Sequence, residues 1–165
     1  ILAQALGGKV EKNVGYGYQI GAREWCIKGS LLNTCETMCR ENVRVLASHG
    51  DVVTKLPPDA ALAGTSSTPA SASVCENEAF SAASGRVLTF QCHPELGASE
   101  VGRSSFGRII DEVAMEGLIS EDVAVKARSD IGSTVRDDEW LAQVTVAHFR
   151  AWRNPIHGTK RRRLV

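Results

Sequence analysis

The spacing of apolar and polar positions divides the chain into an early part that reads as strands and a later part that reads as helices. Ile1-Leu2-Ala3-Gln4-Ala5-Leu6 has a helical pattern closed by Gly7-Gly8, a pair suited to stopping a helix. No Ser, Thr, Asp or Asn precedes it as a cap, so the chain reads as part of a longer product. From residue 9 to 28, Tyr16, Tyr18 and Ile20 alternate with Gly17 and Gln19, which predicts extended strands around turns. Leu31 to Cys39 fits a short helix. Val43-Arg44-Val45-Leu46-Ala47 is a strand-like run ending in Ser48-His49-Gly50-Asp51, and Leu56-Pro57-Pro58 is a stop. Gly64 to Ser73 reads as a loop, and Asn77 to Ser84 as a small-residue stretch before a buried strand over 86–91.

Beyond Glu95 the period changes. Phe106, Ile109, Ile110, Val113 and Ala114 recur at helical spacing. Ser120-Glu121-Asp122 is a cap opening a second helix. Asp137 to Trp152 is a third, with Trp140, Leu141, Val144, Ala147, His148 and Ala151 near one face. Lys160 to Arg163 form a basic tail, read as solvated. Strands early and helices late predict the C-terminal part of an α/β domain.

Composition adds exclusions. The 165 residues are one domain's worth, 43% hydrophobic, with 19 basic and 19 acidic residues and net charge zero. That balance removes a global electrostatic case for nucleic acid or membrane binding, and 5% aromatics leaves little for base stacking. Five irregularly spaced cysteines fit free thiols in a reducing compartment. No run approaches a membrane span and no signal-peptide pattern is present, so a cytoplasmic location is expected. Cys35 and Cys39 would share a helix face, yet no second close pair of Cys or His completes a tetrahedral set, so no metal is expected.

The chemistry concentrates in Phe90-Gln91-Cys92-His93-Pro94-Glu95, at the end of the strand. In extended backbone, residues two apart share a side, so Glu95 can reach the His93 ring, fix its tautomer and stabilise its charged form. Pro94 stiffens the pair. This is a base with its orienting carboxylate, the half of a nucleophilic triad that lacks the nucleophile. Cys92 points away from His93 in the same extended backbone and reads as an inert buried thiol. His49 and Asp51 fit either a turn or a pocket-lining loop. His148, His157, Trp25, Trp140 and Trp152 read as structural, interfacial or solvated.

Three blocks resemble class I glutamine amidotransferases, and within them the type seen in the amidotransferase part of GMP synthase: ILAQALGGKVEKN (1–13), SHGDVVTKLP (48–57) and FQCHPE (90–95). The resemblance covers residues 1–116 as a partial amidotransferase-like domain and leaves 117–165 as a helical extension with a basic tail. It implies a flavodoxin-like α/β fold, His93 as general base, Glu95 as its orienter, and Ser48, His49, Gly50 and Asp51 beside the glutamine pocket. It implies no cofactor. The family's nucleophile turn, Gly-x-Cys-x-Gly-[His/Gln]-Gln, would end just before Ile1, so this stretch alone is expected to be inactive on glutamine. Relatives of this type also resemble γ-glutamyl peptidases, which cleave γ-glutamyl amides with the same triad. A non-catalytic binding or regulatory remnant is the third reading.

Overall fold

The computed structural model describes residues 1–14, 17–29, 31, 42–66, 77–132 and 135–153. A single turn, α1 (Leu2–Ala5), is followed by strands β1 (Lys9–Lys12), β2 (Gln19–Ile27), β3 (Asn42–His49), β4 (Asp51–Lys55), β5 (Ala61–Ser66), β6 (Ala79–Ala82) and β7 (Val87–Phe90). The chain then turns helical: α2 (Pro94–Gly97), α3 (Glu100–Met115), α4 (Glu121–Asp130) and α5 (Val135–Arg153). The architecture is α/β. β1 and β4 form an antiparallel ribbon, and a five-stranded antiparallel sheet has the order β3-β2-β5-β6-β7.

The pattern of side chains explains why helices cover both faces of this sheet. Trp25 and Ile27 of β2 and Val43 and Val45 of β3 point to one side, where they pack with Trp140, Leu141 and Val144 of α5. Ile20 and Leu46 point to the other side and meet Phe106, Ile110 and Val113 of α3 and Ala124 and Ala127 of α4. The period of two on the strands and the helical period of α3 are thus two sides of one contact. A third cluster joins Ala3 of α1 to Val53, Phe80 and Ala82. Gly7 sits at φ +89°, and the Gly8 amide returns to Ala3 O at 2.8 Å, the stop the Gly pair foreshadows.

The sheet curls until its far end meets its first strand. Beyond β7, Cys92 bridges to Ala47 of β3, and the His93 amide donates to Leu46 O at 2.8 Å. Three strand amides are met by carboxylates from the late helices. Asp130 accepts from the Ala22 amide (3.1 Å), Asp137 from Arg44 (2.9 Å) and Asp138 from Leu46 (3.1 Å). Strand edges left with unpaired amides invite pairing with other chains, and these three aspartates give those amides partners within the chain.

Several expectations change. Gly64, expected to open a loop, lies in β5; residues 67–73 of that loop are outside the described residues. The small-residue stretch over Asn77 to Ser84 contains a strand of its own, β6. The helix expected from Leu31 to Cys39 lies, apart from Leu31, outside the described residues, as do Cys35, Cys39, Cys75, His157 and the basic tail. The Ser120 cap is present, its hydroxyl accepting from the Val123 amide. Among the described residues, no helix is long and apolar enough to cross a membrane.

Candidate functional site

His93 stands where the curled sheet closes. Its backbone is fixed from behind by Leu46 O, and Pro94 starts the α2 turn directly after it. His93 Nδ1 lies 2.8 Å from Glu95 Oε1. The pairing is not made in extended backbone, as the sequence suggests. His93 is the residue capping α2, at φ −126° and ψ 71°, and Glu95 sits in the helix's first turn, so its carboxylate swings back toward the ring. The consequence is the same: a carboxylate on Nδ1 holds the proton there and leaves Nε2 free to accept one. The pair is open to solvent, with the His93 side chain 40% and that of Glu95 66% exposed.

Cys92, one residue earlier, is buried inside the curl at 4% exposure. Burial pushes its thiol well above the usual range, and the nearby charges of Glu78, Asp138 and Glu95 push the same way. A thiol held protonated in the core does not serve as nucleophile. Of the other cysteines, Cys26 is the only one among the described residues, and it lies on β2 facing Asn42 and Thr65.

Ser48 and His49, expected in a loop, end β3, Asp51 opens β4 and Gly50 alone joins them, and every member is tied down. The Tyr18 hydroxyl meets Ser48 Oγ at 2.9 Å, and the Asn13 amide donates to Gly50 O at 3.0 Å. Lys12 pairs with Asp51, and Gln91 Nε2 reaches Asp51 O at 3.3 Å, linking this corner to the segment between β7 and His93. Gly50 has the Tyr18 ring 3.1 Å from where a Cβ would stand, so a side chain there would displace the tyrosine.

Beneath this corner lies a buried carboxylate that the sequence did not single out. Glu78 is 1% exposed; its Oε1 accepts from Ser66 Oγ at 2.6 Å, and its Oε2 faces His49 Nε2 at 3.9 Å. His49 Nδ1 is 3.0 Å from Asp51 O, so that nitrogen carries the proton and Nε2 presents a lone pair to Glu78. A charged carboxylate facing a lone pair at 3.9 Å is poorly placed, which favours the neutral, protonated carboxyl. Burial raises Glu78 to about 7, opposed by the Ser66 hydrogen bond. Burial lowers His49 to about 4, and the charges of Arg23 and His93 act in the same sense. The pair is therefore not an ion pair at neutral pH. Burial likewise raises Asp138 to about 7, opposed by its Leu46 hydrogen bond.

These shifts set a pH dependence of stability. Glu78 holds a proton in the folded chain between its ordinary 4.5 and about 7, so stability falls as pH rises through that window. Asp138 acts in the same direction from its ordinary 3.8. His49 acts oppositely, adding stability as pH rises from about 4 to 6.5, and offsets one of the two carboxylates there. Glu78→Gln should thus gain stability relative to the natural chain by about 2 kcal/mol more at pH 8 than at pH 5. Urea unfolding at the two pH values checks this; an unchanged gap would contradict the buried, proton-holding state of Glu78.

Other histidines and tryptophans have structural positions. His148 is 7% exposed with Nε2 2.9 Å from Gly85 O, while Trp25 and Trp140 are core. A cleft of about 440 Å³ opens beside the candidate pair, lined by Phe90, Cys92, His93, Pro94 and Glu95 on one side and by Ala142 and Thr145 of α5 on the other. A second cavity, of about 290 Å³, brings Ile1, Leu2 and Ala3 against Glu78, Phe90 and Gln91.

A curled sheet between helices, with a His-carboxylate pair where its ends meet, makes this an α/β domain. The family described as Glutamine amidotransferase class-I matches residues 1–111, and the chain belongs to that family. It is similar to the GMP synthase [glutamine-hydrolyzing] of Bordetella avium, 30% identical over 144 residues, covering 80% of this chain and 26% of that protein. The corresponding protein of Histophilus somni is 28% identical over 143 residues, covering 84% and 26%. The chain thus spans about a quarter of the length of the curated relatives it matches. Among solved structures, a glutamine amidotransferase from Thermotoga maritima aligns with TM-score 0.61 at 22% identity, over 90% of this chain and 56% of the other. One from Methylobacillus flagellatus aligns at 0.56 and 16%, over 89% and 58%. These two alignments support the fold.

Proposed function

We propose that the chain contributes the base, the orienting carboxylate and part of the glutamine pocket to a glutamine-hydrolysing site. The observation that carries this reading is the 2.8 Å contact of His93 Nδ1 with Glu95 Oε1, in a chain of the class-I family. In this reading a cysteine thiolate attacks the side-chain amide carbon of glutamine. His93, protonated at Nε2, gives that proton to the departing nitrogen, and ammonia leaves. A glutamyl thioester remains. His93 then removes a proton from water, the water oxygen attacks the thioester, and glutamate leaves as the thiolate is restored. Glu95 holds the imidazole in the tautomer both steps need. Ser48, His49, Gly50 and Asp51 stand on the substrate side in this reading, a role that rests on the resemblance, since none of them lines the cleft beside His93.

The nucleophile in this reading comes from residues that precede Ile1 in the complete protein. Ile1 lines the same cavity as Phe90 and Gln91, the two residues that lead from β7 toward His93. Free thiols at Cys26 and Cys92 fit a cytoplasmic setting.

Two assays test the reading. Residues 1–165 alone are expected to release no ammonia from glutamine above the uncatalysed background, because neither described thiol is placed to attack. Ammonia release from this stretch, lost in His93→Ala, would overturn the assignment of the nucleophile. The complete protein, offered glutamine and a γ-glutamyl dipeptide in parallel, is expected to prefer glutamine. Preference for the dipeptide would assign it to γ-glutamyl peptidase chemistry, and inertness toward both would make it a non-catalytic relative.

A further inference from the structure

We infer that Asp138, on α5 beyond the family-matched residues, is a positioning residue for His93 and Glu95, so that α5 belongs to the catalytic machinery. The inference deepens the glutamine-hydrolysing reading and rests on it for its functional consequence, though its structural core does not. Asp138 is wholly buried, and its two oxygens face two different elements. Oδ1 accepts from the Leu46 amide at 3.1 Å, and the carbonyl of that same residue accepts from the His93 amide at 2.8 Å. Both groups of Leu46 lie on the outer edge of β3, so one residue is held by Asp138 and in turn holds the backbone of the base.

Oδ2 packs on the opposite element. It sits against Gly97, close enough that a Cβ there would overlap it, and Gly97 ends the α2 turn that carries Glu95. It has no hydrogen-bond partner among the described residues. One short carboxylate is therefore wedged between the strand that fixes His93 and the turn that presents Glu95. The neighbouring Asp137 accepts from the Arg44 amide, which sets the register of α5 along β3. Independently, Ala142 and Thr145, one and two turns further along α5, form the wall of the cleft facing His93 and Glu95. The helix that braces the pair also shapes the space in front of it.

The residue type is specific to the task. A buried amide on a strand edge needs an acceptor, and leaving it without one is costly. Asparagine keeps that acceptor at the same volume, and alanine does not. The test measures hydrogen exchange and histidine ring resonances of the ¹⁵N-labelled complete protein, with Asp138→Ala, Asp138→Asn and Gly97→Ala. In Asp138→Ala the His93 amide should exchange at least about tenfold faster, while the Ile110 amide of α3 changes by less than about threefold. The Nδ1 proton resonance of His93 should broaden or vanish. Asp138→Asn should keep both signals close to those of the natural chain. If Asp138→Ala does not fold, Gly97→Ala decides, since its Cβ pushes the carboxylate off from the other side and should give the same loss at His93. Signals of His93 unchanged in these variants, or a loss shared equally by Ile110, would overturn the inference.

Ammonia release by the same proteins separates this inference from the reading it rests on. A complete wild-type protein inert toward glutamine refutes the glutaminase reading, while the response of His93 to Asp138 still decides the brace. With activity present, Asp138→Ala should lower kcat at least about tenfold with KM changed less than about threefold, and Asp138→Asn should restore most of it. An equal fall in both variants would count against positioning through the Leu46 acceptor.

Discussion

Replacing His93 by alanine in the complete protein should lower kcat/KM for glutamine hydrolysis by at least about a thousandfold, or roughly 4 kcal/mol of barrier. The size follows from the double duty of the ring. Without it the thiol is ionised only by solvent, and the departing nitrogen must leave without a proton. Members of a triad act as a unit, so losing one forfeits most of what the set achieves. Glu95→Gln should cost much less, about ten- to a hundredfold, even though a buried orienting carboxylate elsewhere can matter far more. The reason is exposure: the Glu95 side chain is 66% accessible, so water stands in for part of its hydrogen bond and screens its charge. The pair of variants measured side by side for ammonia release checks both magnitudes. Equal losses would mean that Glu95 does more than orient, and a small loss at His93 would remove it from the role of base.

The second large effect lies in the core. Trp25→Ala should destabilise the fold by about 3–5 kcal/mol and lower Tm by roughly 6–20 °C. Trp25 is fully buried at the centre of the cluster that joins β2, β3 and α5, and its ring stacks on Phe90 with centroids 6.1 Å apart. Phe90 ends β7 three residues before His93, so the cavity would open directly under the candidate site. Trp25→Phe should cost far less than alanine. It keeps the aromatic contact and removes an indole N–H that has no partner among the described residues. Val101→Ala, at a position 78% exposed, should change stability by less than about 0.5 kcal/mol and serves as the control. Thermal and urea unfolding of the three variants give the comparison.

These two sites show which parts of the structure were legible in the sequence. The helical repeat of Phe106, Ile110 and Val113 carries its meaning locally, and α3 follows it. The FQCHPE block likewise announces a His-carboxylate pair, although Glu95 comes back to His93 through a helical turn rather than along extended backbone. β5 and β6 were not legible. Ala61-Leu62-Ala63-Gly64-Thr65-Ser66 is built of small residues because large ones stand opposite. Gly64 has the Trp25 ring 3.4 Å and the Ala79 methyl 3.3 Å from the position of a Cβ. That reason resides on β2 and β6, not within β5 itself. Glu78 and Asp138 were missed on the same grounds. Glu78 stands in a stretch of small residues, and Asp138 reads as one of several acids in the first turn of a helix, where negative charge is ordinary. Only the packing of α5 on β3, and of the Ser48–Asp51 corner over β6, turns them into buried carboxylates.

The account stands or falls on whether His93 and Glu95 serve a thiol that forms a glutamyl thioester. The direct measurement is mass spectrometry of the complete protein, acid-quenched during turnover of glutamine and digested to locate the adduct. The account predicts a glutamyl group on a cysteine in the segment leading into Ile1, absent when that cysteine is replaced. In His93→Ala it should form far more slowly. An adduct on Cys92 or Cys26, or glutamine hydrolysis with no covalent adduct in the natural protein and no loss in His93→Ala, would contradict it.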